Sequence, residues 1–160
     1  MEHDRPRFQW ETRCVNTARR LLGPGRAEEV AQVLVDTSAV YALVDRDDAY
    51  HRKAVAILRA LPRRGLTPLL TNFIVAESHA LILSRLGAEM ARRWLLGQVW
   101  RIEAVHSRDE ERAREIIRRY TDKSFSYTDA TSFAVMERLG LREAFGFDPH
   151  FQQYGLKLLV

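Results

Sequence analysis

Four carboxylates stand where a chain of this pattern could gather them: Asp36, Glu77, Asp129 and Asp148. Asp36 ends the apolar run Val33-Leu34-Val35 and precedes two hydroxyl residues, Thr37 and Ser38. Asp148 follows a strand-like segment, 144–147, and precedes Pro149, a common opening residue of helices. Ser126 and Asp129 have the spacing of a capping box. Each of these aspartates has an ordinary use at a helix N-terminus, and taken singly each fits that use as well as it fits chemistry. Glu77 is harder to place. Its neighbours at helical spacing are Phe73, Ile74, Ala80 and Leu81, which sets a carboxylate on an apolar stripe. Burying a charge is costly without a compensating partner, so Glu77 calls for a cation, an arginine or an edge open to water.

Position joins the four. In a parallel α/β sheet the strand ends that lead into helices share one edge, and ligands bind along it. Acids clustered on that edge repel one another unless hard cations share them. Mg²⁺ and Mn²⁺ take oxygen ligands and keep several waters, leaving room for phosphate oxygens. Such ions can activate water and stabilise the leaving oxygen of a phosphodiester.

The elements that must position these acids alternate between strand and helix. Strands are expected at 33–36, 67–71, 102–105, 144–147 and 156–160, and helices at 38–44, 49–61, 73–86, 88–100, 108–120 and 128–139. Short apolar strands separated by helices predict an α/β fold of three layers, α/β/α, around a central parallel sheet of four to five strands. Residues 1–32 lack a strong hydrophobic period and contain the breaker Gly23-Pro24-Gly25, with a short helix expected at 12–22. They read as a leader or linker ahead of a domain spanning 33–160.

Composition narrows the class. With 160 residues, 46% apolar and 29% charged, the chain suits one soluble domain with a real core. No stretch reaches the roughly 18 apolar residues of a membrane helix, and the N-terminus has no secretory apolar segment, so a cytoplasmic location is expected. A single cysteine, Cys14, excludes an internal disulfide and a cysteine metal cage. The formal charge of +4 hints at an anionic partner.

Four segments, VLVDTSAVYALVDRDDAYHRKA, NFIVAES, SYTDATSFAVMERLG and EAFGFDPHF, carry a family likeness. From Val33 to Val160 the sequence resembles the PIN-domain family, specifically the VapC-like toxin ribonucleases of type II toxin–antitoxin systems. The resemblance implies a Mg²⁺- or Mn²⁺-dependent endoribonuclease, with RNA as substrate and a cognate antitoxin as partner. By motif match the catalytic and metal-binding acids fall on Asp36, Glu77, Asp129 and Asp148. Thr37 or Ser38, and Ser126 or Thr128, match the hydroxyls that orient them. Two departures stand out: the long leader, and Pro149 where a basic residue is common, with His150 able to substitute.

Other polar residues have plainer readings. His51 is expected to pack or hydrogen-bond at the start of its helix, and His79 to lie away from the site. Asp45, Asp47 and Asp48 read as a polar turn. Lys123 could meet a phosphate, and Arg46, Arg52, Lys53 and Arg85 could line an RNA path. The segment RDEERAREIIRRY, with its signs interleaved, reads as a solvated face. Trp94 and Trp100 read as core residues of helix 88–100, any exposed part offering a homodimer or antitoxin surface. Two other functions compete. A phospho-accepting receiver domain would want an acidic pair ahead of Asp36 and a late-strand lysine, and neither is evident. A non-catalytic PIN scaffold binding RNA or a protein partner would not need the intact acidic set.

Overall fold

A computed structural model describes residues 31–159. Cys14, the glycine-proline breaker and the leader helix expected at 12–22 lie outside the described residues. The chain runs β1 (Ala31–Val35), α1 (Thr37–Val44), α2 (His51–Ala60), a 3-10 turn, β2 (Leu66–Thr71), α3 (Asn72–Leu86) and α4 (Ala88–Leu96). It continues through β3 (Arg101–Glu103), α5 (Ser107–Arg119), α6 (Tyr127–Leu139), β4 (Glu143–Phe145), α7 (His150–Tyr154) and β5 (Lys157–Leu159).

The five strands form one sheet in the order β3-β2-β1-β4-β5, and every pair is parallel. β1 lies in the middle, so Val33, Leu34 and Val35 are wholly buried; an unbroken apolar run is what a strand covered on both faces requires. Leu34 pairs with Leu69 on one side and Ala144 on the other. From β1 the chain steps outward through β2 to β3, then returns across the sheet to β4 and β5. Right-handed crossovers put the helices of the two halves on opposite faces. The reversal places a topological switch point between the ends of β1 and β4, where Asp36 and Asp148 emerge.

The expected elements are present, with shifted ends. β1 begins at Ala31 rather than Val33, because Ala31 and Gln32 pair with Leu66 and Thr67 although their side chains leave no apolar signal. The helix expected to reach Trp100 stops at Leu96. Beyond it the Gln98 side chain both accepts from the Trp100 amide and donates to the Trp100 carbonyl, which turns the chain into β3. Trp94 is buried as expected, whereas Trp100 packs from outside that helix. An aromatic group anchors α7: Phe133 of α6 stacks on Tyr154 at 4.3 Å between ring centroids and meets Phe151 edge-on at 5.1 Å.

Candidate active site

The switch point is built from the ends of β1 and β4. The Asp36 amide donates to the Phe145 carbonyl at 2.8 Å, which continues the β1–β4 pairing and turns the Asp36 side chain out at the strand end. Its Oδ2 accepts from the Ser38 amide at 3.0 Å and also from the Ser38 hydroxyl. The capping reading of Asp36 is therefore correct. The Ser38 hydroxyl in turn accepts from the Phe147 amide at 2.9 Å, tying the chain just ahead of Asp148 to Asp36.

Asp36 is 6% exposed. Burial pushes its carboxyl up to about 6, partly offset by the two Ser38 hydrogen bonds and reinforced by the charges of Asp129 and Asp148. A carboxylate confined in this way gains from a neighbouring cation. Gly146 explains how it is confined: a methyl group there would lie 2.8 Å from the Asp36 Cβ and 3.4 Å from its Oδ2.

Asp129 enters from the first turn of α6. Its Oδ2 accepts from the Ser126 amide at 2.7 Å, and its own amide donates to the Ser126 hydroxyl at 3.0 Å, a reciprocal capping box. Asp148 accepts from the His150 amide at 2.9 Å. His150 Nδ1 lies 3.1 Å from Asp129 Oδ2 and 3.3 Å from Asp148 Oδ1, and its Nε2 lies 3.3 Å from the Ser124 hydroxyl. One ligand atom from each of Asp129, Asp148 and His150 falls within 4.8 Å of the others, close enough to share an ion.

Glu77 is held by the residue after Asp36, since the Thr37 hydroxyl donates to Glu77 Oε2, but neither Glu77 nor Asp36 is among the ligand atoms that fall within 4.8 Å of one another. The fully buried residues of α3 are Ile74, Ser78 and Ile82; Glu77 sits beside that face and is half-buried, with Ala80 exposed. The stripe expected around Glu77 is narrower than its apolar neighbours suggest.

Thr37 and Ser38 both act, each on a different acid. Of the second pair, Ser126 orients Asp129, while Thr128 offers its carbonyl to the Thr131 hydroxyl at 3.0 Å and serves the helix instead. His150, expected only as a possible substitute for a basic contact, is an integral neighbour of two acids. Phe151, one residue on, is fully buried and fixes the position of the histidine.

The plainer readings of His51 and of the 45–48 turn hold. His51 Nδ1 is 2.8 Å from the Ala42 carbonyl. Asp45 accepts from the Tyr41 hydroxyl and the Asp47 amide, and Asp48 from the Tyr50 amide, as a polar turn should. Lys123 pairs with Asp122 at 2.8 Å. Helix α5 is not simply solvated: Asp109 is 3% exposed, clasped by Arg138 Nε at 2.9 Å and Nη2 at 3.0 Å. Arg138 also reaches Glu103 at 3.0 Å, so this network welds β3, α5 and α6 without touching the site acids.

The carboxylate oxygens at this strand-end edge suit a hard divalent cation, whereas the His150 imidazole, a softer donor, faces two of those carboxylates. Known proteins resemble this chain in sequence and fold. The family model described as PIN domain matches residues 33–157. The chain is 35% identical over 126 residues to the 23S rRNA-specific endonuclease VapC20 of Mycobacterium tuberculosis, covering 77% of this chain and 94% of that protein. It is 26% identical over 119 residues to Ribonuclease VapC26 of the same organism, covering 72% of this chain and 86% of that one. A crystal structure of M. tuberculosis VapC20, described as a sarcin-ricin loop cleaving toxin, superposes with a TM-score of 0.70 at 32% identity over 78% of this chain and 95% of that chain. The chain belongs to the PIN-domain family, on the side of it occupied by the VapC nucleases.

Proposed function

We propose that the chain is a divalent-metal-dependent endoribonuclease acting in the cytoplasm as the toxin of a toxin–antitoxin pair. The observation that carries this reading is the cluster of Asp129, Asp148 and His150 ligand atoms within 4.8 Å of one another, with Asp36 buried close enough to feel the charges of both aspartates. Asp36, Asp129 and Asp148 would hold Mg²⁺ or Mn²⁺, and Glu77 supports the site through Thr37. When bound, the ion supplies Lewis-acid activation of water and charge stabilisation at the phosphodiester.

The chain's own residues do the rest. Ser38 fixes Asp36 and, through the Phe147 amide, the approach to Asp148. The Ser126 capping box fixes Asp129 at the N-terminus of α6, where the helix dipole favours negative charge, phosphate included. His150 holds Asp129 and Asp148 in register from the far side. Such positioning lets water meet phosphorus without reorganisation of the acids.

Partners follow from the surface. Leu95, Leu96, Val99 and Ile102 are exposed along the end of α4 and the edge strand β3, an apolar strip suited to an antitoxin or to a homodimer contact. The function is tested by incubating purified protein with RNA, including 23S rRNA because a relative is named for it, with Mg²⁺ or Mn²⁺ and with EDTA. Cleavage abolished by EDTA and restored by either ion is expected. RNA bound but intact under all conditions would make the chain a scaffold instead.

A further inference from the structure

Outside the acids, one aromatic residue at the same edge stays half open to solvent. Tyr50 is 50% exposed and lies flat on Phe147, with ring centroids 4.5 Å apart and planes 12° from parallel. Phe147 meets the fully buried Phe145 edge-on at 6.3 Å, so an aromatic column rises from the core and ends in the Tyr50 ring. Single exposed aromatics are ordinary. This one is fixed to the reactive centre: Phe147 precedes Asp148, and its amide donates to the Ser38 hydroxyl that serves Asp36.

The column is also held still. The Tyr50 amide donates to Asp48 at 2.7 Å, and the Tyr50 carbonyl accepts from Ala54 at 2.8 Å, so the residue is locked as the cap of α2. In the turn before it, the Asp48 carboxylate accepts the bond from the Tyr50 amide and the Asp45 carboxylate accepts from the Tyr41 hydroxyl and the Asp47 amide, while the Asp47 side chain is exposed. Arg52 and Lys53 follow on the first turn of α2, both exposed and within reach of a phosphate backbone.

We propose that the open face of Tyr50, backed by Phe147, is a stacking platform for one unpaired base of the RNA, next to the phosphate being cut. Unpaired bases in loops are recognised by stacking on aromatic rings, and a ring already stacked on a second one is pre-ordered for a third. The proposal rests on the ribonuclease reading above and adds to it where the substrate is gripped.

The test uses Tyr50→Ala, Tyr50→Leu and Tyr50→Trp with a short RNA whose cut site has been mapped. Each position flanking the cut is replaced in turn by an abasic residue or by 2-aminopurine. Tyr50→Ala and Tyr50→Leu should raise KM about tenfold, the scale of one stacked base, with kcat little changed, and Tyr50→Trp should restore KM. Leucine keeps the cover over Phe147, so a folding defect cannot account for a loss shared by both. One abasic position should reproduce that loss in the wild type and add nothing in Tyr50→Ala. In EDTA, binding should quench 2-aminopurine at that position in the wild type only. A wild-type KM for Tyr50→Leu, or abasic losses that add to Tyr50→Ala at every position, overturns the platform. So does a Tyr50→Ala variant that handles RNA normally but no longer binds a protein partner. Failure of the wild type to cleave with either ion is a separate result: it sinks the ribonuclease reading, while quenching in EDTA still reports on stacking.

Discussion

Gly146 presses its backbone against Asp36 so closely that a methyl group added to it would stand 2.8 Å from the Asp36 Cβ. The glycine is needed there for space. The close approach sets the position of a carboxylate that burial has already placed under strain. Gly146→Ala should therefore displace Asp36 by a few tenths of an ångström and cost roughly 1–3 kcal/mol of stability by overpacking. The larger effect should be on catalysis, a fall in kcat of about tenfold or more, because small misplacements of a reacting group are expensive. Steady-state kinetics beside urea denaturation separate the two; an alanine variant with full kcat would show that Asp36 can move without consequence.

Asp36 should also make stability depend on pH in an informative direction. Its folded value of about 6 lies above the ordinary 3.8, so the folded protein holds a proton that the unfolded chain has released. Without metal, the contribution of Asp36 to stability is then greatest below the ordinary value and falls as pH rises toward 6, by about 3 kcal/mol on an order-of-magnitude scale. Asp36→Asn should flatten this slope while abolishing metal-dependent cleavage, as should Asp129→Asn for cleavage. Unfolding in EDTA from pH 4 to 7 checks it, and parallel curves for wild type and Asp36→Asn would refute the burial argument.

Arg138 and Asp109 make the opposite case, a paired buried charge remote from the chemistry. Burial alone would raise the Asp109 carboxyl, but Arg138 and the His106 amide hold it below the usual range. Its contribution in the wild type is present above the ordinary carboxylate value and is lost as pH falls through the lowered one. Arg138→Met should cost about 3–5 kcal/mol near neutral pH by stranding that charge. The variant should regain stability on acidification, because an unpaired buried carboxyl prefers its proton. Denaturation at two pH values reads both, and activity per folded molecule should be unchanged.

The products should carry a 5′-phosphate and a 3′-hydroxyl. Cleavage through the RNA's own 2′-hydroxyl needs a paired general acid and base, usually histidines. Among the described residues, His150 is the histidine in contact with the site acids, and His51 is tied to a backbone carbonyl. End-group analysis and a single 2′-deoxy residue at the cut decide the matter; a cyclic phosphate, with the deoxy substrate resistant, would reject water as the nucleophile.

Much of this site could be read in the chain because its acids sit at punctuation. The run into Asp36, the Ser126 box and the proline after Asp148 are local signals for strand ends and helix starts, and those are where a parallel sheet collects ligands. What escaped was nonlocal. The grip of Arg138 on Asp109 spans two helices, and interleaved charges in α5 concealed it. Helical spacing placed Glu77 among apolar neighbours but could not show that Ala80 faces water or that Thr37 would meet the carboxylate. Trp100 was assigned to a helix that the Gln98 side chain helps to end.

The route of the chain through the sheet has a consequence for the life of the protein. Its central strand is made early, yet the neighbour that completes the acidic edge, β4, follows only after the chain has travelled to the far edge and back. A nascent chain on the ribosome therefore carries Asp36, Glu77 and even Asp129 with no reactive centre to join them. The segment bearing Gly146, Asp148 and His150 is the last part of this edge to be made, so the acidic edge is complete only once that segment docks beside β1.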